Sequence, residues 1–460
     1  MSQTITGPRL SPGPTPASIG ARLDRMPIGP VHRRLTAVIG AGLLFDTFEN
    51  NLSGTIGKVL QHKFAMDATT LKFVLASAFI GQFLGSLVVG RMADRFGRRR
   101  AFLLNLALYS GFSLVGAFSP NATWLIATRF IAGIGIGSEQ ALADCYLADV
   151  LPASRRGRFI AWAYTLAYCG VPAVGFAALW LVPLSPLGLA GWRWLFLISS
   201  LGSAVVWVLR RNLIESPRWL AARGRVAEAD ALVTVMEDGR ATARPAAAAA
   251  AESAAAPAQR VRGAFDPGLR RRTVMLWILC ILSVVGYYGF GTLVPQILAA
   301  KGYGIVASLG FTALCFLGYP VGSALAVPVV ERMERRTLLV LAATAMALTG
   351  LGFGVARSPE LIVALGFVYT LCSNVFSSVS HVYLSEQYPT EIRGGASGAA
   401  YSLSKLSAGA LPFILLPVLQ HHGADALFEV IAATTVVMVV SVLALGGRTT
   451  GVSVDRVLSK

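Results

Sequence analysis

The sequence has little charge and lacks the patterns on which soluble enzymes depend. Only 14% of its 460 residues are charged, whereas a soluble domain carries roughly a quarter. It contains no phosphate-binding loop, no cluster of metal ligands and no hydrolytic triad. We therefore expect no enzymatic activity, no bound metal and no cofactor, and an ion gradient instead of ATP as the source of energy.

Cysteine is also scarce, and its placement excludes a disulfide framework. All five cysteines fall inside apolar runs, at Cys145, Cys169, Cys280, Cys315 and Cys372. An odd number of cysteines, scattered through apolar surroundings, indicates that their side chains pack in the interior. It argues against a disulfide scaffold and against a metal site.

Long apolar runs are what the sequence has in abundance. Hydrophobic residues make up 55% of the chain and the mean hydropathy is +0.62. The runs are about twenty residues long, enough for a helix to cross a bilayer. We predict twelve spans, at 35–57, 71–92, 101–118, 123–151, 157–182, 190–210, 273–298, 304–329, 336–355, 359–387, 395–419 and 424–446.

The positive charge is distributed unevenly between the loops. The net charge is +17, but the arginines lie in alternate short loops, chiefly at 91–100, 155–158, 210–272 and 332–336. Such asymmetry follows the positive-inside rule and argues against nucleic-acid binding. We therefore expect a bacterial-type inner-membrane protein whose two termini are cytoplasmic.

The spans divide the chain into five segments. Residues 1–33 are rich in Pro, Gly and Ser and read as a disordered cytoplasmic tail. Two six-helix bundles, 34–210 and 273–446, are joined by a cytoplasmic linker at 211–272 with short helices, and a tail follows at 447–460. Basic motifs after the second and eighth spans and after the fourth and tenth form a weak internal repeat.

The most specific motif occupies residues 90–100, between the second and third spans. It reads Gly-Arg-Met-Ala-Asp-Arg-Phe-Gly-Arg-Arg-Arg. Its glycines permit a tight turn, and Asp94 can accept hydrogen bonds or pair with an arginine. The motif resembles the loop between helices two and three of the major facilitator superfamily. In that family the loop latches the cytoplasmic ends of neighbouring helices.

Three further signatures extend the resemblance over residues 35–446. They are the Arg-Phe-Ile-Ala-Gly-Ile-Gly-Ile-Gly stretch from Arg129, the Glu-Ser-Pro-Arg-Trp-Leu stretch from Glu215, and the stretch from Glu386 to Gly394. They are similar to signatures of sugar porters and organic-ion transporters, nearest the aromatic-acid and synaptic-vesicle-protein-like branch. The resemblance implies an all-α membrane protein with two pseudo-symmetric six-helix bundles around a midplane site. It also implies a monomer that works by alternating access.

The same resemblance assigns gating roles to residues in these loops and helix ends. They are Gly90, Asp94, Arg95, Gly97, Arg98, Glu139, Asp144, Asp149, Arg156, Glu215, Arg218, Glu386 and Arg393. Glu139 lies lower on the fourth span than Arg129, where we expect bonds to neighbouring helix ends or loop arginines, so gating is favoured there over the alternative of substrate contact.

Three ionisable residues within the spans are candidates for proton coupling. Asp46 and Glu49 share one face of the first helix, and neighbouring carboxylates in a low dielectric can exchange a proton near neutral pH. Arg129 lies early in the fourth span, at about the height of Glu49, so the two can pair. Purely structural ion pairs are the alternative for all three residues.

Lys405 is the most informative residue for the substrate. It lies in the eleventh span, too deep to snorkel easily, at about the height of Asp46. Framed by Arg393 and Pro412, it resembles a position that is basic in organic-anion carriers and acidic in organic-cation carriers. The alternative is that Lys405 only neutralises a carboxylate such as Asp46.

Aromatic and amide residues at similar depth complete the predicted substrate site. With Lys405 and Asp46 they are Tyr164, Tyr168, Tyr287, Tyr288, Gln296, Asn374, His381 and Tyr401. For any single aromatic residue, helix packing is the simpler interpretation. The glycines at 286–291 would allow the seventh helix to break and expose backbone at the site.

The leading hypothesis is proton-coupled uptake of a small organic anion such as a carboxylate or aromatic acid. A proton-coupled sugar or polyol symporter stays open, because several signatures are shared with sugar porters. A drug or organic-cation exporter is a further alternative, and so is a transporter-like receptor without flux. The expected partners are a small anionic molecule, protons and the lipid bilayer.

Overall fold

The computed structural model describes residues 15–238, 265–266, 269–388 and 390–447. Secondary structure within these ranges is helical, and no strand occurs in them. Gly90 and the side chains of Asp94 and Arg393 lie outside the described residues. The gating roles assigned to those three residues therefore stay predictions.

The first half of the chain begins with a short helix and continues with long ones. The helices are α1 (Pro16–Arg25), α2 (Pro30–Lys63), α3 (Ala68–Phe96), α4 (Arg98–Ala117), α5 (Ala122–Ile136), α6 (Glu139–Val150), α7 (Arg156–Tyr168), α8 (Gly170–Leu181), α9 (Gly191–Arg211), α10 (Pro217–Ala222) and α11 (Val226–Asp238). A short 3₁₀ turn, Pro186–Gly188, precedes α9.

The second half begins at Arg270. Its helices are α12 (Arg270–Ala300), α13 (Ile305–Phe316), α14 (Gly318–Arg332), α15 (Arg335–Val355), α16 (Pro359–Glu386) and α17 (Thr390–Leu445). The chain reverses inside α17 at Gly423, whose φ of +85° falls in the left-handed region that favours glycine.

These helices make twelve passes, as predicted. In the described ranges, nine segments are long and apolar enough to cross a membrane, and one of them, Gly398–Leu445, contains two passes because of the reversal at Gly423. The other two passes are α2, which carries Asp46 and Glu49, and the consecutive helices α5 and α6. Interior charges or a helix break make these two harder to recognise from hydropathy alone.

The passes form two groups that meet along a central seam. Helices α2–α9 contact one another, as do α12–α17, and the main contacts between the groups are α2 with α12, α3 with α17, α7 with α14 and α8 with α13. Gly54 allows a close approach of the two backbones at the seam, since a Cβ there would lie 2.8 Å from Thr292 Cα. A seam of this kind places any enclosed cavity between the two halves.

The two ends of the molecule differ in charge. At the end that we call the arginine-rich end, α3 meets α4, α6 meets α7, and α9 leads to α10. Exposed arginines there include Arg99, Arg100, Arg155, Arg158 and Arg211. The opposite end contains the α2–α3, α4–α5 and α12–α13 turns.

The expectation of a disordered tail at 1–33 is wrong for its second part. Residues 16–25 form α1, which begins with a reciprocal cap between Thr15 and Ser18. Its apolar residues Ile19 and Leu23 are fully buried against α10 and α11. The Pro and Gly content of the tail concealed a short amphipathic helix whose stability comes from packing.

A second expectation is also wrong, since the seventh pass does not break at Gly286–Gly291. Helix α12 is continuous from Arg270 to Ala300. The glycines instead serve close packing, since a Cβ at Gly289 would lie 2.9 Å from the Leu415 side chain. The side chains of α12, and not its backbone, therefore face the site.

Candidate functional site

A cavity lies between the two halves, on the seam that α2 and α12 form. It encloses about 830 Å³ including its open mouth. Its walls are Thr47, Asn50 and Asn51 of α2, Gln140 of α6, Tyr168 of α7, Leu279, Cys280, Ser283, Val284, Tyr287 and Tyr288 of α12, Phe376, Ser377, Ser380, His381 and Leu384 of α16, and Tyr401 and Ser404 of α17. Along α12 it extends from Tyr288 toward Leu279, that is, toward the arginine-rich end.

Five of the predicted substrate residues line this cavity: Tyr168, Tyr287, Tyr288, His381 and Tyr401. Tyr287 and Tyr288 meet edge to face at 4.9 Å between ring centroids, and His381 lies 5.5 Å from Tyr401. Aromatic walls with hydroxyl groups suit a flat or apolar molecule that carries a few polar atoms.

Lys405 lies directly behind two of these aromatic walls. Its side chain is 3% exposed, and its Nζ donates a hydrogen bond to the Tyr288 hydroxyl at 3.3 Å. The ammonium also lies 5.1 Å from the Tyr401 ring centroid and 5.5 Å from that of Tyr288. Both rings thus present their faces to a buried cation, which stabilises it without cancelling its charge.

The alternative role for Lys405, neutralisation by Asp46, is not seen as a direct contact. Among the described side chains, no carboxylate is within ion-pair distance of Lys405 Nζ. Asp46 is 2% exposed, and no donor in the described part of the chain reaches its Oδ1. The two groups therefore do not touch, although each contributes to the electrostatic surroundings of the other.

Glu49 and Arg129 form the pair that their heights in the membrane predict. Arg129 Nη1 bonds to Glu49 Oε1, and Nη2 donates to the Glu49 backbone oxygen at 2.9 Å. Ser113 donates a further hydrogen bond to the same carboxylate. Both charged side chains are buried, and the pair connects α2 to α5 and α4.

A second buried ion pair joins Glu139, which was expected to bond neighbouring helix ends or loop arginines, to an arginine that was not singled out from the sequence. Glu139, at the start of α6, binds Arg210, at the end of α9, with 2.5 Å between Oε1 and Nη1, and neither side chain is exposed. Arg210 also lies 4.4 Å from the Phe102 ring centroid. In the sequence Arg210 reads as the first arginine of a basic loop, so only the need of buried Glu139 for a cation could have indicated it.

Three predicted substrate residues lie near the cavity without lining it. Tyr164 donates to Asp144 at 2.9 Å and stacks on His381. Asn374 donates to the Tyr319 backbone oxygen at 2.5 Å, and Gln296 is buried beside Gly57, nearer the opposite end. Substrate contact stays a prediction for all three, and helix packing accounts for what they touch here.

The cavity also has polar walls that sequence reasoning missed. Thr47, Asn50, Asn51 and Gln140 face it from the first half, and Gln140 accepts a hydrogen bond from Tyr401 across the seam. Asn50 is held in turn by Gln82, whose amide donates at 2.7 Å. The signal was available, since two consecutive asparagines are costly inside an apolar run unless they bond to something.

The predicted gating residues with described side chains cluster at the arginine-rich end and bind within one half. Glu215 accepts a hydrogen bond from the Arg98 backbone N–H, 2.9 Å away, beside Gly97, whose φ is +104°. Asp149 accepts from Ser216 at 2.7 Å, and its backbone oxygen accepts from Arg218. These bonds fasten α10 to the start of α4 and the end of α6.

The remaining predicted gating residues make similar local contacts. Arg156 and Arg218 both approach Asp24, in the last turn of α1, at 3.5 and 2.7 Å. Glu386 lies 3.5 Å from Arg335 in the second half, and the Arg95 guanidinium lies 5.3 Å from the centroid of its neighbour Phe96. Each of these contacts joins residues of the same half, so any latch that they form acts on one half at a time.

Comparison with known proteins agrees with this architecture. The family model described as "Sugar (and other) transporter" matches residues 36–457. The chain is 31% identical to YyaJ of Bacillus subtilis (strain 168) over 390 residues, which cover 84% of this chain and 86% of that protein. It is 29% identical to the niacin transporter NiaP of Acinetobacter baylyi, with 95% and 99% of the two chains covered.

Among solved structures, the xylose transporter XylE from E. coli, in a partially occluded inward-open conformation, has the same fold. The TM-score is 0.76, with 20% sequence identity, over 92% of this chain and all of that one. The predicted all-α membrane fold is thereby confirmed, and the family is one of transporters and not of enzymes. The chain belongs to the sugar (and other) transporter family, within the major facilitator superfamily.

Proposed function

We propose that the protein is a proton-coupled symporter that takes up a small organic anion, such as an aromatic carboxylate. The observation that carries the proposal is Lys405, a buried cation behind Tyr288 and Tyr401 with no carboxylate in ion-pair contact among the described side chains. An anion that leaves water for a buried site needs an opposite charge there. The aromatic walls would receive the ring of such an acid.

The charges buried in the described part of the chain support coupling to protons. Besides His32 they are three carboxylates, Asp46, Glu49 and Glu139, and three cations, Arg129, Arg210 and Lys405. This set is neutral when Asp46 is ionised. An entering anion would leave an excess negative charge in a low dielectric, which costs several kcal/mol. Protonation of Asp46 removes that excess, so the anion and a proton would travel together.

Asp46 is the better candidate for the proton carrier than Glu49. The Glu49 carboxylate is already held by Arg129 and Ser113, so it would give up a charged hydrogen bond on protonation. Asp46 has no such bond at Oδ1 within the described structure. We therefore assign Glu49 and Arg129 to shaping the electric field around Asp46.

We also propose that both termini and the arginine-rich end lie in the cytoplasm of a bacterial-type cell, as the positive-inside rule requires.

A sugar or polyol substrate is the competing function. The amides of Asn50, Asn51 and Gln140 in the cavity wall favour it, since amides bind hydroxyl groups. The sugar function and the leading proposal differ in their dependence on Lys405, because the affinity for a neutral sugar would gain little from the charge of that side chain. The two functions can therefore be separated by one substitution and two ligands.

The test is Lys405→Met in purified protein, with niacin, its uncharged amide nicotinamide, and xylose as probes. Loss of a charged hydrogen bond should weaken niacin binding by roughly 1.5–3 kcal/mol, about ten- to a hundredfold. Nicotinamide binding should be nearly unchanged. Lys58→Met, which makes the same change on an exposed position of α2, is the matched control and should alter neither.

Three results would contradict the proposal. Xylose binding without binding of niacin or of any other small carboxylic acid in a thermal-shift panel would favour the sugar function. Equal losses for niacin and nicotinamide would mean that Lys405 supports the cavity only structurally. Restoration of niacin binding by a second change, Asp46→Asn, would mean that Lys405 serves chiefly to neutralise Asp46.

A further inference from the structure

A second, larger pocket lies at the arginine-rich end, far from the central cavity. It encloses about 1150 Å³ including its open face and lies between the α1–α2 connection and the α6–α7 connection. It is lined by Asp24, Arg25, Met26, Pro27, Ile28, Arg33, Ser154, Arg155, Arg158, Phe159 and Trp162. Nothing in the transport cycle proposed above uses these residues.

The pocket has a surplus of positive charge that other residues do not neutralise. Four arginines line it: Arg25, Arg33, Arg155 and Arg158. Their side chains form no ion pair and no hydrogen bond with any residue that the structure describes. The one carboxylate in the lining, Asp24, is already engaged by Arg218 at 2.7 Å. Four guanidinium groups are therefore available for an anion with several oxygens.

The depth of the pocket places it where a lipid headgroup lies. The candidate membrane span formed by α7 and α8 begins at Arg156 and has 26 residues, about 39 Å at 1.5 Å per residue against a core of roughly 30 Å. Its first turn, with Arg158 and Phe159, therefore falls at the headgroup level. Basic pockets at this level bind anionic lipids.

An apolar strip leads from the arginines onto the outer face of α7. Trp162 is 53% exposed and Leu166, one turn further along, is 36% exposed. Tryptophan is favoured at the membrane interface, where its ring lies against acyl chains near the headgroups. A ligand that fills both the pocket and the apolar strip needs a phosphate at one end and a hydrocarbon chain at the other.

We propose that this pocket binds an anionic phospholipid of the leaflet at the arginine-rich end. Its phosphate would contact Arg25, Arg33, Arg155 and Arg158, and an acyl chain would lie along Phe159, Trp162 and Leu166. A soluble phosphate ester shares the headgroup chemistry, but it would leave the apolar strip unused. The site depends on neither the substrate nor the coupling ion.

The experiment measures lipid binding to the full-length protein in zwitterionic detergent by native mass spectrometry. Phosphatidylglycerol is the probe lipid, phosphatidylcholine the zwitterionic control and glycerol 3-phosphate the soluble control. The test variant is Arg155→Gln with Arg158→Gln. The matched control is Arg100→Gln with Arg270→Gln, which removes two exposed arginines of other helix ends outside the pocket.

We expect the wild type and the control variant to retain phosphatidylglycerol equally, and the test variant to bind it about thirtyfold more weakly, the scale of two arginines at a membrane surface. Trp162→Ala should weaken phosphatidylglycerol binding without changing the response to glycerol 3-phosphate. Elution in size-exclusion chromatography shows whether each variant is folded, and Arg25→Gln with Arg33→Gln provides a second test.

Two outcomes would overturn the proposal. Equal loss of phosphatidylglycerol in the test and control variants would mean that overall charge, and not this pocket, attracts the lipid. Binding of glycerol 3-phosphate as tight as that of phosphatidylglycerol would identify a site for soluble phosphate esters instead.

Discussion

The two halves of the molecule handle buried charge in opposite ways. In the first half, Glu49 is paired with Arg129 and Glu139 with Arg210, and Asp46 is left over. In the described part of the second half, Lys405 is the one buried charged residue, and it contacts tyrosines. A side chain in an ion pair keeps its charge, because its partner stabilises the charged form. A side chain without an ionic partner can gain or lose a proton or bind a charged ligand. The function proposed above follows this difference, with Asp46 as the candidate for the proton and Lys405 as the candidate for the anion.

Asp46→Asn should have the largest effect of any single change, since an amide cannot carry a proton. We expect accumulation of niacin against its gradient to be lost in proteoliposomes with a pH gradient. Exchange of niacin across the membrane should persist, because Lys405 still receives the anion and the residue at position 46 stays neutral throughout. Asp67→Asn, which keeps a capping side chain at the start of α3, is the control; accumulation by Asp46→Asn at the control's rate would remove Asp46 from the coupling mechanism.

Arg210→Met should produce the second largest effect, on stability. It leaves Glu139 buried without its partner, which typically costs 3–5 kcal/mol, and we expect a large fall in the thermal midpoint of the purified protein. Glu139→Gln in the same chain should restore much of the loss.

The thermal stability of Lys405→Met can be compared directly with that of Arg210→Met, because each change removes one buried cation from one half. Lys405→Met breaks no ion pair among the described residues, and protonation of Asp46 would remove the negative charge left in excess, so its thermal midpoint should fall less than that of Arg210→Met. Similar destabilisation by Arg210→Met and Lys405→Met would mean that the two halves do not differ in the way described here.

Tyr401→Phe should have a moderate effect on binding. It removes the hydroxyl that donates to Gln140 across the seam but keeps the ring beside Lys405. If this bond between the halves forms only in the conformation that binds niacin, its loss, about 1 kcal/mol, predicts roughly fivefold weaker niacin binding in a calorimetric titration. Tyr303→Phe removes a hydroxyl bonded to a backbone oxygen at the opposite end and should leave the affinity unchanged.

Glu215→Gln should have the smallest effect. It removes a negative charge from the start of α4, where the carboxylate accepts backbone hydrogen bonds, and such a charge contributes roughly 0.3–1 kcal/mol. We expect a small decrease in the thermal midpoint and a change of less than threefold in the uptake rate. Glu228→Gln, at an exposed pair within the linker helix α11, is the reference; a tenfold fall in uptake for Glu215→Gln alone would show that the latch controls the cycle.

The sequence predicts the membrane architecture well because each apolar run must satisfy its own backbone as a helix. The Glu49–Arg129 pair follows for a related reason, since depth along a helix can be counted from the residues. Counting residues does not show which helices pack against each other. Arg210 was therefore not singled out, although Glu139 was expected to bond neighbouring helix ends or loop arginines.

Two other features depend on contacts that only the folded chain reveals. Helix α1 was hidden because its Ile19 and Leu23 gain their burial from α10 and α11, about two hundred residues away in the chain. The polar wall of the cavity was missed because Asn50 and Asn51 carry no charge and lie in an apolar run.

Lys405 was recognised from its depth, and its neighbour Tyr401, four residues earlier on the same helix, follows from helical spacing. Its contact with Tyr288 depends on how α12 and α17 are rotated against each other, which sequence spacing does not determine.

The most direct measurement is the number of protons taken up when the purified protein binds niacin, followed with a pH indicator in weakly buffered solution. If Lys405 receives the anion and Asp46 the proton, the wild type should take up about one proton for each niacin bound, and Asp46→Asn should bind niacin with no uptake. Binding of nicotinamide should take up none in either protein. Niacin binding by the wild type without proton uptake, or equal uptake by Asp46→Asn, would contradict the division of roles between the two halves.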